Sequence, residues 1–236
     1  MKTRIKYQAY CLFKPLFFAF FLIYLEACST LDLNNQVAPT YTVAFESIKG
    51  AFLGYPDKKI SKELVENIPY ASLIMKIGKG SSGLLILESL KDNETIWVSA
   101  DQVVIVLKEG RIVRTLGLNN NLISVKRINQ SFKNVISSTE FSTDYYSYYS
   151  YEDPPLRNLK VHVYLEKIGL RDVDILGEQK NLLLIHETIS SKEIRWQATN
   201  KYWIDPKDYY VWKSEQTISP KLPKFFFEIT KKPANL

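Results

Sequence analysis

Short runs of hydrophobic residues, separated by Gly, Pro, Asn and Asp, recur along the chain and predict β-strands. Val103–Leu107 is an unbroken run of β-branched and aliphatic residues, which is typical of a strand buried on both faces. Lys108-Glu109-Gly110 predicts a three-residue loop, with Gly110 where a left-handed conformation is needed. The return arm alternates, which completes a core hairpin. One face of that arm carries Arg111, Val113 and Thr115, and the other carries Ile112, Arg114 and Leu116.

The same pattern extends over most of the chain and sets the fold class. About a dozen short strands with turns every 8–12 residues predict a mainly β protein, with one antiparallel domain built as a meander, sandwich or half-barrel. Asp205-Pro206-Lys207-Asp208 predicts a type I turn begun by Asp205. The other predicted strands are Leu73–Ile77, Leu84–Leu90, Thr95–Ser99, Leu122–Ile128, Leu159–Ile168, Val173–Leu176, Leu182–Ile189, Glu193–Thr199, Tyr202–Ile204, Tyr209–Thr217 and Phe225–Thr230.

Two short helices are expected before the strands. In Thr42–Leu53, Phe45, Ile48 and Phe52 follow helical spacing with Val43 beside them, and Gly54 ends the pattern. A second helix opens at Ser61, a plausible N-cap, and ends before Pro69. With these helices, the predicted domain covers residues 42–236.

Several motifs in the strand region resemble one protein family. Trp97-Val98, the run Gly110–Leu118 and Asn121-Leu122 closely resemble the group 4 capsule lipoproteins, the YjbF/GfcB-like proteins. The likeness extends from about Ser47 to the end of the chain and is weak between Phe132 and Lys160. Outlying support comes from Asn67–Ser72, Trp196, Tyr202–Asp205 and Ser214–Gln216. The resemblance implies an accessory lipoprotein of capsule or exopolysaccharide secretion, acting with an outer-membrane β-barrel and periplasmic proteins. It brings no catalytic or ligand-binding residues with it.

The N-terminus has the pattern of a lipoprotein export signal. Four basic residues precede Leu16–Leu25, an uncharged apolar stretch that is too short to span a bilayer and has the length of a signal core. Leu25-Glu26-Ala27-Cys28 resembles a lipobox, although Glu26 departs from its usual small or apolar residue. The alternatives are a plain signal peptide with an incidental cysteine, or an uncleaved anchor.

If the junction is a lipobox, residues 1–27 are removed and Cys28 carries the lipid. Several acyl chains together form a stable membrane anchor, where one chain is marginal. Ser29 resembles the sorting pattern of outer-membrane lipoproteins, so the protein is expected at the periplasmic face of that membrane. Residues 28–41 are polar and predict a flexible tether.

Removal of the signal also changes charge and thiol content. The net charge falls from +6 to +3, because 31 − 4 leaves 27 basic and 25 − 1 leaves 24 acidic residues. The basic balance therefore does not indicate nucleic acid. With Cys11 lost and Cys28 lipidated, no thiol remains for a disulfide, a zinc site or a nucleophile.

The pattern predicts no enzyme, metal or cofactor. His162 and His186 lie in alternating strands with no cysteine beside them, so a zinc site would need scattered carboxylates. The glycine-rich stretch Gly78–Gly83 matches neither a nucleophile elbow nor a phosphate loop. No catalytic residue is assigned.

A cluster of tyrosines is the one local anomaly. Tyr145, Tyr146, Tyr148 and Tyr149 are candidates for binding a glycan or a partner protein, because an amphipathic ring offers an apolar face and a hydroxyl. The plainer interpretation is a tyrosine-rich strand or edge loop.

Taken together, the residues and the resemblance favour an outer-membrane lipoprotein that assists polysaccharide secretion without catalysis. Its expected partners are the membrane, export proteins and an acidic polysaccharide. The alternative is a periplasmic-facing carrier that holds a lipid or other apolar ligand in a cavity of the curved sheet.

Overall fold

The computed structural model describes residues 60–127 and 131–234. It contains two helices and twelve strands. The helices are α1 (Lys62–Glu66) and α2 (Phe132–Ser137). The strands are β1 (Ser72–Ile77), β2 (Gly83–Lys91), β3 (Glu94–Ser99), β4 (Val104–Lys108), β5 (Arg111–Leu116), β6 (Leu122–Arg127), β7 (Ser142–Tyr151), β8 (Leu156–Ile175), β9 (Glu178–Ser191), β10 (Trp196–Ile204), β11 (Val211–Gln216) and β12 (Phe225–Lys231).

All twelve strands belong to one sheet. Its order is β5-β4-β3-β2-β1-β12-β11-β10-β9-β8-β7-β6, and every paired neighbour is antiparallel. The two end strands, β5 and β6, follow each other in the chain. The Leu122 amide donates to Thr115 Oγ1 at 2.9 Å, so the two ends of the sheet approach each other. The sheet is nearly closed, and the expected mainly β, antiparallel class is confirmed.

The central hairpin agrees with the pattern in its first arm and differs in its return arm and its loop. Arg111, Ile112 and Val113 are all buried, because an irregularity in the pairing of β5 with β4 interrupts the predicted alternation. Val103, Ile105, Val106 and Leu107 are buried, as expected of a strand covered on both faces. Lys108 pairs directly with Arg111, so the loop has two residues rather than the predicted three. Glu109 and Gly110 both have positive φ, 48° and 72°, as a type I′ turn requires.

Three other element boundaries differ from the prediction. β8 continues through Gly169 by an irregularity in its pairing with β9, where two separate strands were expected. β10 likewise joins two predicted strands. α2, which Ser131 caps through its hydroxyl, was not predicted at all. α1 was predicted, and the Ser61 hydroxyl caps it by accepting from the Leu64 amide at 3.2 Å. The helix expected over Thr42–Leu53 lies outside the described residues.

The inner face of the curled sheet is packed with side chains from both of its halves. Trp97 from β3 is 1 % exposed, and its indole donates to Thr95 Oγ1 at 2.8 Å. It shares one apolar cluster with Tyr202 from β10 and Phe225 from β12. Burial of this cluster, at roughly 25 cal/mol per Å² of apolar surface, is the main force that holds the sheet curled.

The tip of the β4–β5 hairpin packs across the interior onto β11. An added Cβ at Gly110 would lie 2.4 Å from Val211 Cβ. The Gln216 side chain accepts from the Ile112 amide at 2.9 Å and donates to the Gly110 carbonyl at 2.7 Å. These contacts fix the hairpin tip against the far side of the sheet, where it forms one wall of the cavity described below.

Candidate functional site

The tyrosine cluster forms strand β7, and alternation along it sends neighbouring rings to opposite faces. Tyr145 and Tyr149 are 8 % and 4 % exposed and belong to the core. Tyr146 is 44 % exposed, and Tyr148 is half-buried. The four candidate residues therefore divide into an inward pair and an outward pair, and only the outward pair is placed to meet a ligand.

The outward pair continues into a larger exposed group. Tyr146 pairs with His162 and Tyr148 pairs with Lys160 on β8, so these side chains share one face. The Lys160 ammonium lies 4.0 Å from the Tyr146 ring centroid, and the Tyr146 and His162 rings are 5.3 Å apart. Tyr164, 39 % exposed, lies two residues further along the same face. We call this group the tyrosine face: Tyr146, Tyr148, Lys160, His162 and Tyr164.

The inward-facing tyrosines of β7 pack within the core, and one of them forms a hydrogen bond there. Tyr151, on the same face of the sheet, donates its hydroxyl to the Ile218 carbonyl at 2.6 Å. Burial and the neighbouring Tyr149 raise the pKa of Tyr151 far above its usual value. The Tyr149 and Tyr151 rings lie 6.4 Å apart in a tilted arrangement. These rings tie β7 to the core.

A half-open cavity of about 310 Å³ lies between the hairpin tip and the ends of β11 and β12. This volume is at the lower end of the ~300–1,000 Å³ typical of ligand pockets. Its inner wall is buried and mostly apolar, with Thr95 and Ser214 as its two buried polar side chains. The buried apolar side chains that line it are Trp97, Leu107, Phe132, Val211, Phe227 and Ile229.

The outer lining of the cavity, here called the rim, is polar, aromatic and charged. It consists of Asn93, Glu109, Lys133, Asp208, Tyr209, Tyr210, Trp212, Lys213 and Lys232. Lys133 and Lys232 lie near the faces of Tyr209 and Tyr210, with their ammonium groups 6.0 and 4.6 Å from the ring centroids. The Tyr210 and Trp212 rings meet edge to face at 5.4 Å.

The acids of the rim are already paired. Lys232 donates to Asp208, and Glu109 Oε2 accepts from the Phe132 amide at 2.9 Å and lies 3.7 Å from Arg111 Nη1. Partial burial disfavours the charged form of Asp208. The hydrogen bond from Lys232, the one from the Tyr210 amide and the Lys232 charge outweigh that effect and lower the Asp208 pKa.

A turn between β10 and β11 presents Tyr209 and Tyr210 to the cavity. Asp205 begins it, as predicted: its carboxylate accepts from the Lys207 amide at 2.9 Å. The turn is wider than the predicted type I turn, because the Asp205 carbonyl accepts from the Tyr209 amide at 2.9 Å, four residues on. Tyr209 has a φ of 63°, which is unusual for a large side chain.

Behind the cavity, a buried ion pair joins β5 to β9. Arg111 Nε donates to Glu187 Oε1 at 3.0 Å, and both side chains are at most 2 % exposed. The guanidinium carbon lies 3.3 Å from the Phe132 ring centroid. Glu187 Oε2 also accepts from Asn200 and from the Tyr202 hydroxyl, at 2.9 and 2.8 Å. The arrangement is a positioning network for the hairpin and α2.

Sequence reasoning placed Arg111 on a strand face and gave it no partner. The sequence did carry a signal for this ion pair, namely a charged residue at a buried position on each of two strands. Glu187 has the same parity as Ile185 and Ile189 on β9, and Arg111 has the same parity as Val113 on β5. A charged residue among buried positions calls for an opposite charge nearby.

The histidines lie on the outer part of the sheet. His162 Nε2 is 2.9 Å from Asp144 Oδ2. Partial burial and the Lys201 charge lower the pKa of His186. Within residues 60–127 and 131–234, no three His, Cys, Asp or Glu side chains are placed to hold a metal ion. In the same part of the chain, no helix has the length and apolarity needed to cross a membrane. Cys28 lies outside the described residues.

Comparison with known proteins identifies the family. The model of the family described as "Group 4 capsule polysaccharide lipoprotein gfcB, YjbF" matches residues 45–230. This chain belongs to that family. It is 21 % identical to the Escherichia coli K12 lipoprotein GfcB over 206 residues, which is 87 % of this chain and 92 % of GfcB. It is 26 % identical to the lipoprotein YjbF of the same organism over 196 residues, 77 % of this chain and 81 % of YjbF.

A solved structure shares the fold. The crystal structure of the lipoprotein YmcC from Escherichia coli K12 superposes with a TM-score of 0.66 at 22 % identity. The match covers 76 % of this chain and 92 % of YmcC. The expected family is thus confirmed, and with it a capsule-related lipoprotein role.

Proposed function

We propose that this protein is an outer-membrane lipoprotein that assists capsule or exopolysaccharide secretion by binding glycan or partner proteins, without catalysing a reaction. The tyrosine face carries the proposal. It places Tyr146, Tyr148 and Tyr164 on one surface of adjacent strands, with Lys160 beside them. Membership of a capsule lipoprotein family makes polysaccharide and its export proteins the relevant partners.

The chemistry of the tyrosine face suits an acidic polysaccharide. The C–H face of a sugar ring packs on an exposed phenol ring, and the phenol hydroxyl remains free to hydrogen-bond. Lys160 adds a cation for a carboxylate or other acidic substituent. Exposed aromatic residues are also enriched at protein interfaces, so a partner protein fits the same surface.

The anchor places this face in the right compartment. With Cys28 lipidated and sorted to the outer membrane, residues 28–41 tether the sheet at the periplasmic side. There the domain meets the outer-membrane β-barrel and the periplasmic proteins of an export system. Lipid and tether thus bring the tyrosine face near the emerging polymer.

The test is the double substitution of Tyr146 and Tyr148 by Ser. We expect an unchanged melting temperature, because neither ring is in the core, together with reduced polymer export and weaker co-purification of export proteins. Tyr70→Ser is the matched control, since Tyr70 is 63 % exposed and lies before β1, outside the tyrosine face. Normal export by the folded double variant would contradict this assignment.

A second candidate function is the carrier. The observation that favours it is the half-open cavity in the curved sheet, with its mostly apolar inner wall. In this role the protein would hold an apolar ligand during its passage through the periplasm. An export assay on a variant with a blocked cavity separates this function from that of the tyrosine face.

A further inference from the structure

We infer that the cavity binds an anionic amphiphile with a single apolar chain, such as a fatty acid or a lysophospholipid. The chain lies against the inner wall, and the anionic head lies at the rim beside Lys133. This inference rests on the carrier candidate and gives its ligand a chemical class. It is independent of the tyrosine face, which lies on the other side of the sheet.

The inner wall selects an apolar group over a sugar. Its buried lining is mostly apolar and includes Trp97, Phe227 and Ile229. The two buried hydroxyl groups in it, on Thr95 and Ser214, already bond to neighbouring protein groups. The Trp97 indole N–H is already used within the wall, on Thr95 Oγ1 at 2.8 Å. A sugar ring placed there would lose hydrogen bonds to water without replacing them, which is costly. A hydrocarbon chain gains free energy in the same place.

The rim selects a negative head. Asp208 is paired with Lys232. Glu109 accepts from the Phe132 amide and lies 3.7 Å from Arg111, whose charge it shares with Glu187. Lys213 is paired with Glu228 at 3.1 Å. Lys133 is different: its ammonium lies 6.0 Å from the centroid of the Tyr209 ring, and within the described residues no carboxylate forms a salt bridge with it. Among the described residues, Lys133 is therefore the rim lysine that has no carboxylate partner, and it lies at the mouth of a mostly apolar cavity.

The mouth is also held in shape before a ligand arrives. The Asp205 backbone bonds to both Tyr209 and Tyr210, at 2.9 and 2.8 Å, and closes the turn between β10 and β11. The Tyr209 hydroxyl lies 3.4 Å from the Ser137 hydroxyl of α2, which links the two sides of the rim. A preformed mouth reduces the entropy lost on binding.

The test measures binding of dodecanoate, below its micelle-forming concentration, to the full chain carrying Cys28→Ser, so that no attached acyl group competes. Calorimetry should give one site per chain. Dodecan-1-ol, which has the same tail and no charge, should bind about tenfold more weakly, and dodecyltrimethylammonium more weakly still. Dodecyl phosphate compares a phosphate head with the carboxylate of dodecanoate and so distinguishes a lysophospholipid source from a fatty acid.

Two variants locate the site. Lys133→Glu should weaken dodecanoate about tenfold and leave dodecan-1-ol unchanged, since it alters only the charge at the rim. Lys192→Glu, the same change at an exposed position in the β9–β10 turn, is the matched control and should bind like the parent. Ile229→Phe narrows the cavity and should weaken both ligands together.

Three results would overturn the inference: no dodecanoate binding, equal losses in Lys133→Glu and Lys192→Glu, or preference for an acidic oligosaccharide such as trigalacturonate at this cavity. An export assay on the same variants then tests the carrier function separately from ligand binding at the cavity. If Lys133→Glu loses dodecanoate but exports polymer normally, the binding site stands and the carrier function fails.

Discussion

Single residues with unusual surroundings connect the two halves of the sheet. Arg111 and Glu187 carry opposite charges into the core, where an unpaired charge would be very costly. Asn200 and Tyr202 complete the hydrogen bonding of the carboxylate. Replacing such a pair by apolar groups is often neutral, whereas removing one partner is not. Their value here lies in fixing where the hairpin tip and Phe132 sit.

Arg111→Met tests this network. The change leaves Glu187 buried without its cation, so we expect a loss of about 3–5 kcal/mol in the free energy of unfolding. Arg114→Met is the matched control on the same strand. Arg114 is an exposed partner of Glu94 at 3.5 Å, and its loss should cost about 0–1 kcal/mol. Urea titration measures both, and equal costs would show that the buried pair does not hold the fold.

Gly110 is constrained twice, by its backbone and by its neighbour. Gly110→Val places a branched side chain at a φ of 72° and against Val211, so we expect a cost of about 2–5 kcal/mol. Gly177→Val is the control: its φ is 83°, but an added Cβ meets nothing within 4 Å. It should cost about 1–2 kcal/mol from the backbone alone. Melting temperatures that fall equally would show that the close approach to Val211 is unimportant.

At the scale of elements, alternation and turn chemistry predicted most strands, and long-range contacts decided the rest. The β4 and β5 arms follow from local pattern, and Asp205 begins its turn as expected. The length of the 109–110 loop did not follow, because Gly110 packs on Val211, 101 residues away in sequence (211 − 110). α2 was missed because a six-residue helix offers too short a period to recognise.

The candidate sites likewise divide into one that local pattern explains and one that depends on long-range contacts. Strand parity alone separates Tyr145 and Tyr149 from Tyr146 and Tyr148 once β7 is known to be a strand. The cavity has no local signature. Its wall joins Trp97 from β3, Phe132 from α2 and Ile229 from β12, and only the curl of the sheet brings these together.

The two tyrosine pairs on β7 predict opposite effects on stability. Tyr145→Ser with Tyr149→Ser should unfold the protein or prevent its accumulation, since each buried aromatic truncation costs about 3–5 kcal/mol. Tyr146→Ser with Tyr148→Ser should shift the melting temperature little. Thermal denaturation of both double variants measures the difference in stability. Similar losses would mean that the outward rings are also part of the packing.

At the scale of the molecule, one curled sheet presents two chemically distinct surfaces. Its inner side holds the core and the cavity, and its outer side carries the tyrosine face. The family match over residues 45–230 spans both surfaces. In the proposed function, a lipid on Cys28 would hold both surfaces at the membrane where export takes place.

Cys28→Ser tests the anchor for the whole molecule. Without the thiol no diacylglyceryl group can attach, so the protein should move from the outer-membrane fraction to the soluble periplasm or persist as an uncleaved form. The described apolar core is formed by residues between Leu73 and Ile229, far from Cys28 in sequence, so the melting temperature of the domain should not change. Cys11→Ser, which alters the other cysteine and lies within the predicted signal, should leave fractionation unchanged.

Fractionation and incorporation of labelled palmitate measure the effect of Cys28→Ser. Normal palmitate incorporation by Cys28→Ser would show that the chain is not lipidated at this residue. Loss of export by a folded, soluble Cys28→Ser protein would show that export also needs the membrane anchor, for which several acyl chains would each gain about 0.8 kcal/mol per buried CH₂.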